Sequence, residues 1–150
     1  MNMKILVING PNLQLLGRRE PEIYGKLTLD DLEDQLKQVA AAFPVELDFF
    51  QSNHEGAIVD CIGNAPQNGF SGIIINPAAY THTSVAILDA LKGAGLPAVE
   101  VHLSNVKSRE SFRQHSYTAA ACVGVIAGLG FDGYEWALRS LVRILNKGSL

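Results

Sequence analysis

The chain is short of the features that mark most specialised protein classes. Its 150 residues contain two cysteines, Cys61 and Cys122, and neither belongs to a Cys-x-x-Cys pattern. Cys122 sits in an apolar run, where a buried and inert thiol is the expectation. There is no excess of positive charge. Twelve Lys and Arg against fifteen Asp and Glu give a formal net charge of -3, which excludes a whole-molecule bias toward nucleic acid. No apolar run is long enough to span a bilayer; the longest, around Ala119 to Leu129, is short and interrupted by glycine. The histidines His54, His82, His102 and His115 lack His-x-x-x-His or Cys/His ligand spacing, so no metal site is expected. Met1-Asn2-Met3-Lys4 leads straight into a strand with no secretory h-region. A cytoplasmic protein with no membrane or nucleic-acid partner is expected. Repeats, low-complexity segments and linkers are also missing, so residues 1–150 read as a single catalytic domain.

What is present is an ordinary globular composition, 47% hydrophobic and 18% charged, arranged as alternating strands and helices. Ile5 to Ile8 is a continuous apolar run, as a strand buried on both faces requires. Thr28 is a helix N-cap followed by acid in the first turn. Leu29, Leu32, Leu36, Val39, Ala40 and Phe43 recur at helical spacing, and Pro44 stops that helix. Val45 to Phe50 is the second strand. Ser52-Asn-His-Glu55 reads as a capping box opening a helix through Ile58, Val59 and Ile62. Gly72 to Ile75 is the third strand. Thr83 or Ser84 starts a helix carrying Val85, Leu88 and Leu91, closed by Gly93 or Gly95. Ala98 to Leu103 and Cys122 to Ala127 are the fourth and fifth strands. Gly133 or Tyr134 begins a last helix with Ala137, Leu138, Leu141, Val142 and Leu145 on one face. Five buried strands separated by helices predict an α/β, doubly wound parallel sheet with helices on both faces.

Ligands of such sheets bind outside the carboxyl ends of the strands. Strand one ends in Asn9-Gly10-Pro11-Asn12. Strand three ends in Asn76-Pro77, followed by Tyr80-Thr81-His82. Strand four carries Glu100 and His102 and ends in Ser104-Asn105. Each group alone is ordinary turn chemistry; together they predict a site on one edge. Arg18, Arg19 and Lys26 lie in the first loop and Lys107, Arg109 and Arg113 in a later one. Half of the twelve cationic side chains thus fall in two short loops, which points to a small anionic ligand. Glu100 and His102, two residues apart, share one face of their strand. An imidazole, with an ordinary pKa of about 6.5, suits proton donation at neutral pH.

The segments Asn9-Gly-Pro-Asn-Leu-Gln-Leu-Leu-Gly17, Arg19-Glu-Pro21, Tyr24-Gly25, Gln51-Ser-Asn53, Ile75-Asn-Pro-Ala-Ala-Tyr-Thr-His-Thr-Ser84, Glu100-Val-His-Leu-Ser-Asn105 and Arg109-Glu-Ser-Phe-Arg113 carry a resemblance. In that order they resemble the type II 3-dehydroquinate dehydratases over nearly the whole chain. The resemblance implies a flavodoxin-like, five-stranded, three-layer fold. It implies reversible dehydration of 3-dehydroquinate to 3-dehydroshikimate through an enolate, in aromatic amino acid biosynthesis by the shikimate pathway or in quinate catabolism. No metal, Schiff base or other cofactor is implied, and the expected assembly is a homo-dodecamer built from trimers. Tyr24 matches the family's base and His102 its acid, with Glu100 orienting the imidazole and Asn12 serving the enolate oxygen. Asn76, His82 and Arg113 match groups that hold ring hydroxyls and the anionic substrate. Leu103 and Ser104 fit a carboxylate, with Arg109 a weaker candidate there. Asp89 matches a position that reaches into a neighbouring subunit's site. Two departures are Gln14, where the family usually has Asn, and Leu88, where Arg is expected.

A free phenol titrates at about 10, and holding Tyr24 ionised at pH 7 takes about 4 kcal/mol. One cation at about 4 Å supplies about 4 kcal/mol at an effective dielectric of about 20, but only about 1 kcal/mol in bulk water. The loop from Arg18 to Gly25 is therefore expected to be a lid whose closure activates Tyr24 through Arg19. Three other readings compete. A flavodoxin-like FMN or phosphate binder needs a short Ser/Thr/Gly-rich loop after strand one; here that loop is long, with Pro11 and Pro21. A receiver-type signalling module needs acidic groups where Asn9, Asn12 and Asn76 stand. A metal lyase needs ligand spacing that the histidines lack.

Overall fold

The computed structural model describes residues 2–18, 20, 22 and 26–147. Five parallel strands form one sheet in the order β2-β1-β3-β4-β5. They are β1 (Met3–Asn9), β2 (Val45–Gln51), β3 (Gly72–Asn76), β4 (Ala98–His102) and β5 (Gly124–Ala127). Four α-helices are seen among the described residues: α1 (Leu29–Ala40), α2 (Glu55–Asn64), α3 (Val85–Ala94) and α4 (Asp132–Lys147). This strand order is the flavodoxin-like one, with its switch point between β1 and β3.

Side chains alternate across each strand and so separate into two cores. Ile5 and Val7 of β1, Ile74 of β3 and Val99 and Val101 of β4 pack with α1 and α4. Leu6 and Ile8 of β1, Ile73 and Ile75 of β3 and Ala98 of β4 pack with α2 and α3. The helices dock through their apolar stripes, Leu32 and Leu36 on α1 and Ala137, Leu138, Leu141 and Val142 on α4. Thr28 caps α1 in a full capping box, its hydroxyl accepting from Asp31 N while Asp31 accepts from Thr28 N. Hydrogen bonding from the Thr28 backbone N–H, and then from the Thr28 side chain, holds the Asp31 carboxyl below the usual range.

Four expectations need correction. The central strands β1, β3 and β4 are buried, but β2 and β5 are edges with half-open patterns; Val123 and Val125 are 44% and 48% exposed. Strand order decides which apolar run becomes an edge, and a run such as Cys122 to Ala127 does not declare it. The apolar face of α3 is Ile87 and Leu91, while Val85 points to solvent. The capping box at Ser52 does not form: His54 is the N-cap of α2, without a side-chain cap. Ser52 Oγ instead accepts from His54 N at 3.0 Å, a local turn that competes with the cap. Finally, α1 ends at Ala40, so Phe43 packs from a turn and not from the helix.

Candidate active site

A cleft opens at the carboxyl ends of β1, β3 and β4. Its walls are loop residues fixed by contacts that the strand ends dictate. Gly10 passes so close to β3 that a Cβ would stand 2.4 Å from Pro77 O. Only glycine permits that approach, and it locks the loop after β1 against the loop after β3. Gln51 Nε2 donates to Gly10 O at 3.1 Å and to Gln14 Oε1 at 3.1 Å, and Asn53 Oδ1 accepts from Asn12 N at 2.9 Å. Tyr80 Oη donates to Asn53 O at 2.6 Å. Residues 51–53 thus tie together the loops after β1, β2 and β3. Gln14, the departure noted above, is absorbed into this contact set.

Two non-glycine residues in the cleft wall have left-handed backbone, Asn12 at φ 69° and Ala78 at φ 53°. Asn tolerates that region; Ala does not, and needs its surroundings to hold it there. Asn76 Oδ1 does so by accepting from Ala78 N at 3.1 Å.

Of the residues expected at the site, Asn12, Asn76, His82, His102, Leu103, Ser104 and Arg113 all line this cleft, as does Arg109. His82 is held by its Nδ1 contact to His115 O at 2.8 Å. Arg109 Nη1 donates to Ser104 Oγ at 3.5 Å, and Arg113 Nε donates to Glu110 Oε1 at 3.1 Å. Two guanidinium groups and the end of β4 therefore face one space, an arrangement suited to a carboxylate-bearing ligand. Asp89 lies exposed on α3 and does not line the cleft. Arg19 and Tyr24, and with them most of the expected lid, lie outside the described residues.

Glu100 and His102 share a face of β4, as their spacing requires. His102 Nε2 lies 2.8 Å from Glu100 Oε2. Glu100 is 0% exposed and His102 7%, so the carboxylate sits beneath the cleft floor and the imidazole reaches through it. Burial pushes the Glu100 carboxyl up, but hydrogen bonds from His102, Thr118 and Ser116 and the charge of His102 bring it below the usual range. An ionised Glu100 is acceptor-only. His102 Nε2 must then carry a proton, which leaves Nδ1 as the nitrogen available to a ligand.

Sequence reasoning missed two sets of partners. Thr81, Ser116 and Thr118 surround the Glu100 carboxylate with hydroxyls. Tyr134, at the start of α4, is fully buried; its hydroxyl donates to Asn9 Oδ1 at 2.6 Å and accepts from Asn76 Nδ2 at 3.0 Å. A tyrosine on an apolar helix stripe was the available signal, because a buried phenol needs a polar partner. Among the described residues, no group of three His, Cys, Asp or Glu is placed to hold a metal ion, and no helix is long and apolar enough to cross a membrane.

The family model described as dehydroquinase class II matches residues 3–142. A 3-dehydroquinate dehydratase of Acinetobacter baylyi is 59% identical over 138 residues, 92% of this chain and 93% of that protein. Another, from Endomicrobium trichonymphae, is 55% identical over 95% of this chain and 99% of its own length. The crystal structure of a type II dehydroquinase from Butyrivibrio crossotus superposes with a TM-score of 0.91 at 49% identity, covering 93% of this chain and 97% of the other. With a family match across nearly its whole length, relatives 55% and 59% identical and the same fold in a solved relative, this chain belongs to the class II dehydroquinase family.

Proposed function

We propose that this protein dehydrates 3-dehydroquinate to 3-dehydroshikimate, reversibly and through an enolate, with Tyr24 as base and His102 as acid. The observation that carries the reading is the buried Glu100–His102 pair beneath a cleft lined by amides and guanidinium groups. Elimination next to a ketone has three demands. A base takes a proton from the carbon beside the carbonyl, a donor stabilises the enolate oxygen, and an acid protonates the departing hydroxyl. With Nε2–H bound to Glu100, His102 acts as the imidazolium, and its Nδ1–H is the one left to give a proton to the leaving oxygen. General acids of this kind are worth roughly 10²–10⁴ in rate. Asn12 serves the enolate oxygen, a preorganised contact of the kind that makes a large catalytic contribution. Tyr24 takes the carbon-bound proton, with Arg19 lowering the cost of its ionised form; these two roles rest on the family motif.

The substrate's carboxylate fits the end of β4 at Leu103 and Ser104, where Arg109 also reaches. Asn76, His82 and Arg113 receive its ring hydroxyls. Asp89, exposed on α3, acts on a neighbouring subunit's site in a homo-dodecamer of trimers. The substrate is a small anion, and the protein works in the cytoplasm without a cofactor.

The test is a continuous ultraviolet assay for the conjugated enone of the product. It is run with chelator and with borohydride, on wild type and on Tyr24→Phe. Activity that resists both reagents and collapses in the variant supports the mechanism. A folded wild type that makes no enone would sink the assigned reaction.

A further inference from the structure

Glu100 is enclosed on the α2/α3 side of the sheet by three hydroxyls from distant segments. Thr81 comes from the short 3-10 turn after β3, Ser116 from the segment before β5, and Thr118 from the 3-10 turn Thr118–Ala121. Thr118 Oγ1 donates to Glu100 Oε1. Thr81 Oγ1 and Ser116 Oγ each lie 3.0 Å from Oε2, where His102 Nε2 also binds at 2.8 Å. Thr81 and Ser116 are themselves 2.5 Å apart. Glu100, Thr81 and Thr118 are each at most 1% exposed.

Proton counting decides what this cluster does. Each hydroxyl owns one proton. The proton of Thr118 goes to Oε1. One proton must lie between Thr81 and Ser116, so one of these two donates to the other and the second donates to Oε2. The His102 N–H completes the set. With Glu100 ionised, each of these four protons has an acceptor, and three of them are directed at the carboxylate. A protonated carboxyl would take the charged acceptor away from His102, from Thr118 and from the donating hydroxyl of the Thr81–Ser116 pair, and so weaken all three hydrogen bonds.

We infer that Thr81, Ser116 and Thr118 are positioning residues for the reaction, holding Glu100 as a carboxylate of fixed orientation and through it aiming His102 Nδ1 into the cleft. This rests on the reading of His102 as the acid. Few other charges face Glu100 among the described residues. On its own strand there is His102. The adjoining strands pair Ile75 and Val125 beside it. From the segment after the Thr118 turn comes the Cys122 thiol, pushed up to about 12 by burial and then by Glu100 itself, and so neutral. His82, Arg109 and Arg113 lie around the cleft above, with His102 between. The hydroxyls therefore do what bulk water does for an exposed carboxylate, with a fixed geometry that water does not impose.

The test uses the full-length protein and the variants Thr118→Val, which keeps shape and loses the donor, and Thr118→Ser, which restores it. Infrared titration with ¹³C-labelled glutamate, against Glu100→Gln as reference, reads Glu100 directly; kcat is measured over the same pH range. In Thr118→Val we expect Glu100 to bind its proton about tenfold more tightly. The acid limb of kcat should move to higher pH by the same amount, KM should change less than about twofold, and Thr118→Ser should behave as wild type. A Thr118→Val protein whose Glu100 titrates as in wild type overturns the proposal. If Thr118→Val does not fold, Ser116→Ala is read in the same way, with the same expected direction and the same refutation. If Glu100 moves while the kcat profile stays put, the hydroxyl cage stands and the acid role of His102 falls.

Discussion

Replacing Tyr134 by Phe removes one oxygen from the middle of the molecule and keeps the ring that packs with Ala137, Leu138 and the strands. The oxygen bridges two strand-end amides. It donates to Asn9 Oδ1 at 2.6 Å and accepts from Asn76 Nδ2 at 3.0 Å, while Asn9 and Asn76 are 1% and 3% exposed. Without it, one acceptor and one donor are left buried and unpaired. Asn9 Nδ2 already has no hydrogen-bond partner among the described residues, so rotating that amide does not repair the loss. Each orphaned group costs about 1–3 kcal/mol, and two give a destabilisation of about 3 kcal/mol or somewhat more. For a chain of this length, about 2–4 °C per kcal/mol implies a Tm lower by about 6–12 °C. Urea unfolding should give a lower midpoint at an unchanged slope, since the surface exposed on unfolding is the same. Asn76 also lines the cleft, and its amide plane is set by Tyr134 on one side and Ala78 N on the other. Loss of one support should lower kcat/KM about tenfold, or about 1.4 kcal/mol. A stability change below about 1 kcal/mol would refute the reasoning, because the amides would then be pairing directly or with water. A stable loss of 3 kcal/mol with unaltered kinetics would sever the network from the site.

Three further outcomes are expected. Gly10→Ala puts a Cβ 2.4 Å from Pro77 O and 2.7 Å from Pro77 C, both backbone atoms that do not yield; a destabilisation of about 1–3 kcal/mol, measured by denaturant unfolding, should accompany a loss of activity, and a neutral result would contradict the close approach. Burial drives the Tyr134 phenol above its ordinary range, against the Asn76 hydrogen bond. The folded state then binds that proton more tightly than the unfolded chain, whose phenol titrates at about 10. Its contribution is full below about pH 10 and is lost as pH rises through the folded value, so stability should fall steeply above about pH 10, and less steeply in Tyr134→Phe. His102→Ala should lower kcat by roughly 10²–10⁴ in the enone assay with a small change in KM, and a variant within about tenfold of wild type would remove His102 from the proton-transfer step.

Much of the fold can be read from the chain because local and global preferences agree. The apolar run Ile5 to Ile8 is buried in the sheet centre, and the Thr28 cap and the Leu32/Leu36 stripe form as their spacing demands. The misread features are those that depend on a third element. Ser52 is a plausible cap until the loop after β2 is seen pinning Asn12 and Tyr80 through Asn53. Val85 and Leu88 are at reasonable helical spacing until Ile87 and Leu91 are seen meeting the sheet. Period-two logic correctly put Glu100 and His102 on one face, and strand-end logic put Asn12, Asn76 and Ser104 around one cleft.

The partners missed by the sequence reading share one physical cause. A ligand site at the carboxyl ends of a parallel sheet needs polar side chains on strand termini, and termini of central strands are buried. Each such side chain must therefore find hydrogen-bond partners inside the molecule. Asn9 and Asn76, paired across β1 and β3, project toward α1 and α4, and Tyr134 of α4 meets them. Glu100 projects to the opposite face, and Thr81, Ser116 and Thr118 meet it there. One network lies on each side of the sheet directly beneath the cleft. Both are assembled from residues far apart in sequence, 58 positions between Asn76 and Tyr134 and 35 between Thr81 and Ser116. A tyrosine in a helix and three hydroxyls in loops carry no motif of their own. The demand that creates them is legible, though: a charged or amide side chain inside an otherwise apolar central strand requires buried donors and acceptors from the elements that cover that face. The face is fixed by the parity of the position in the strand, so Glu100 directs the search to the α2/α3 side and Asn76 to the α1/α4 side.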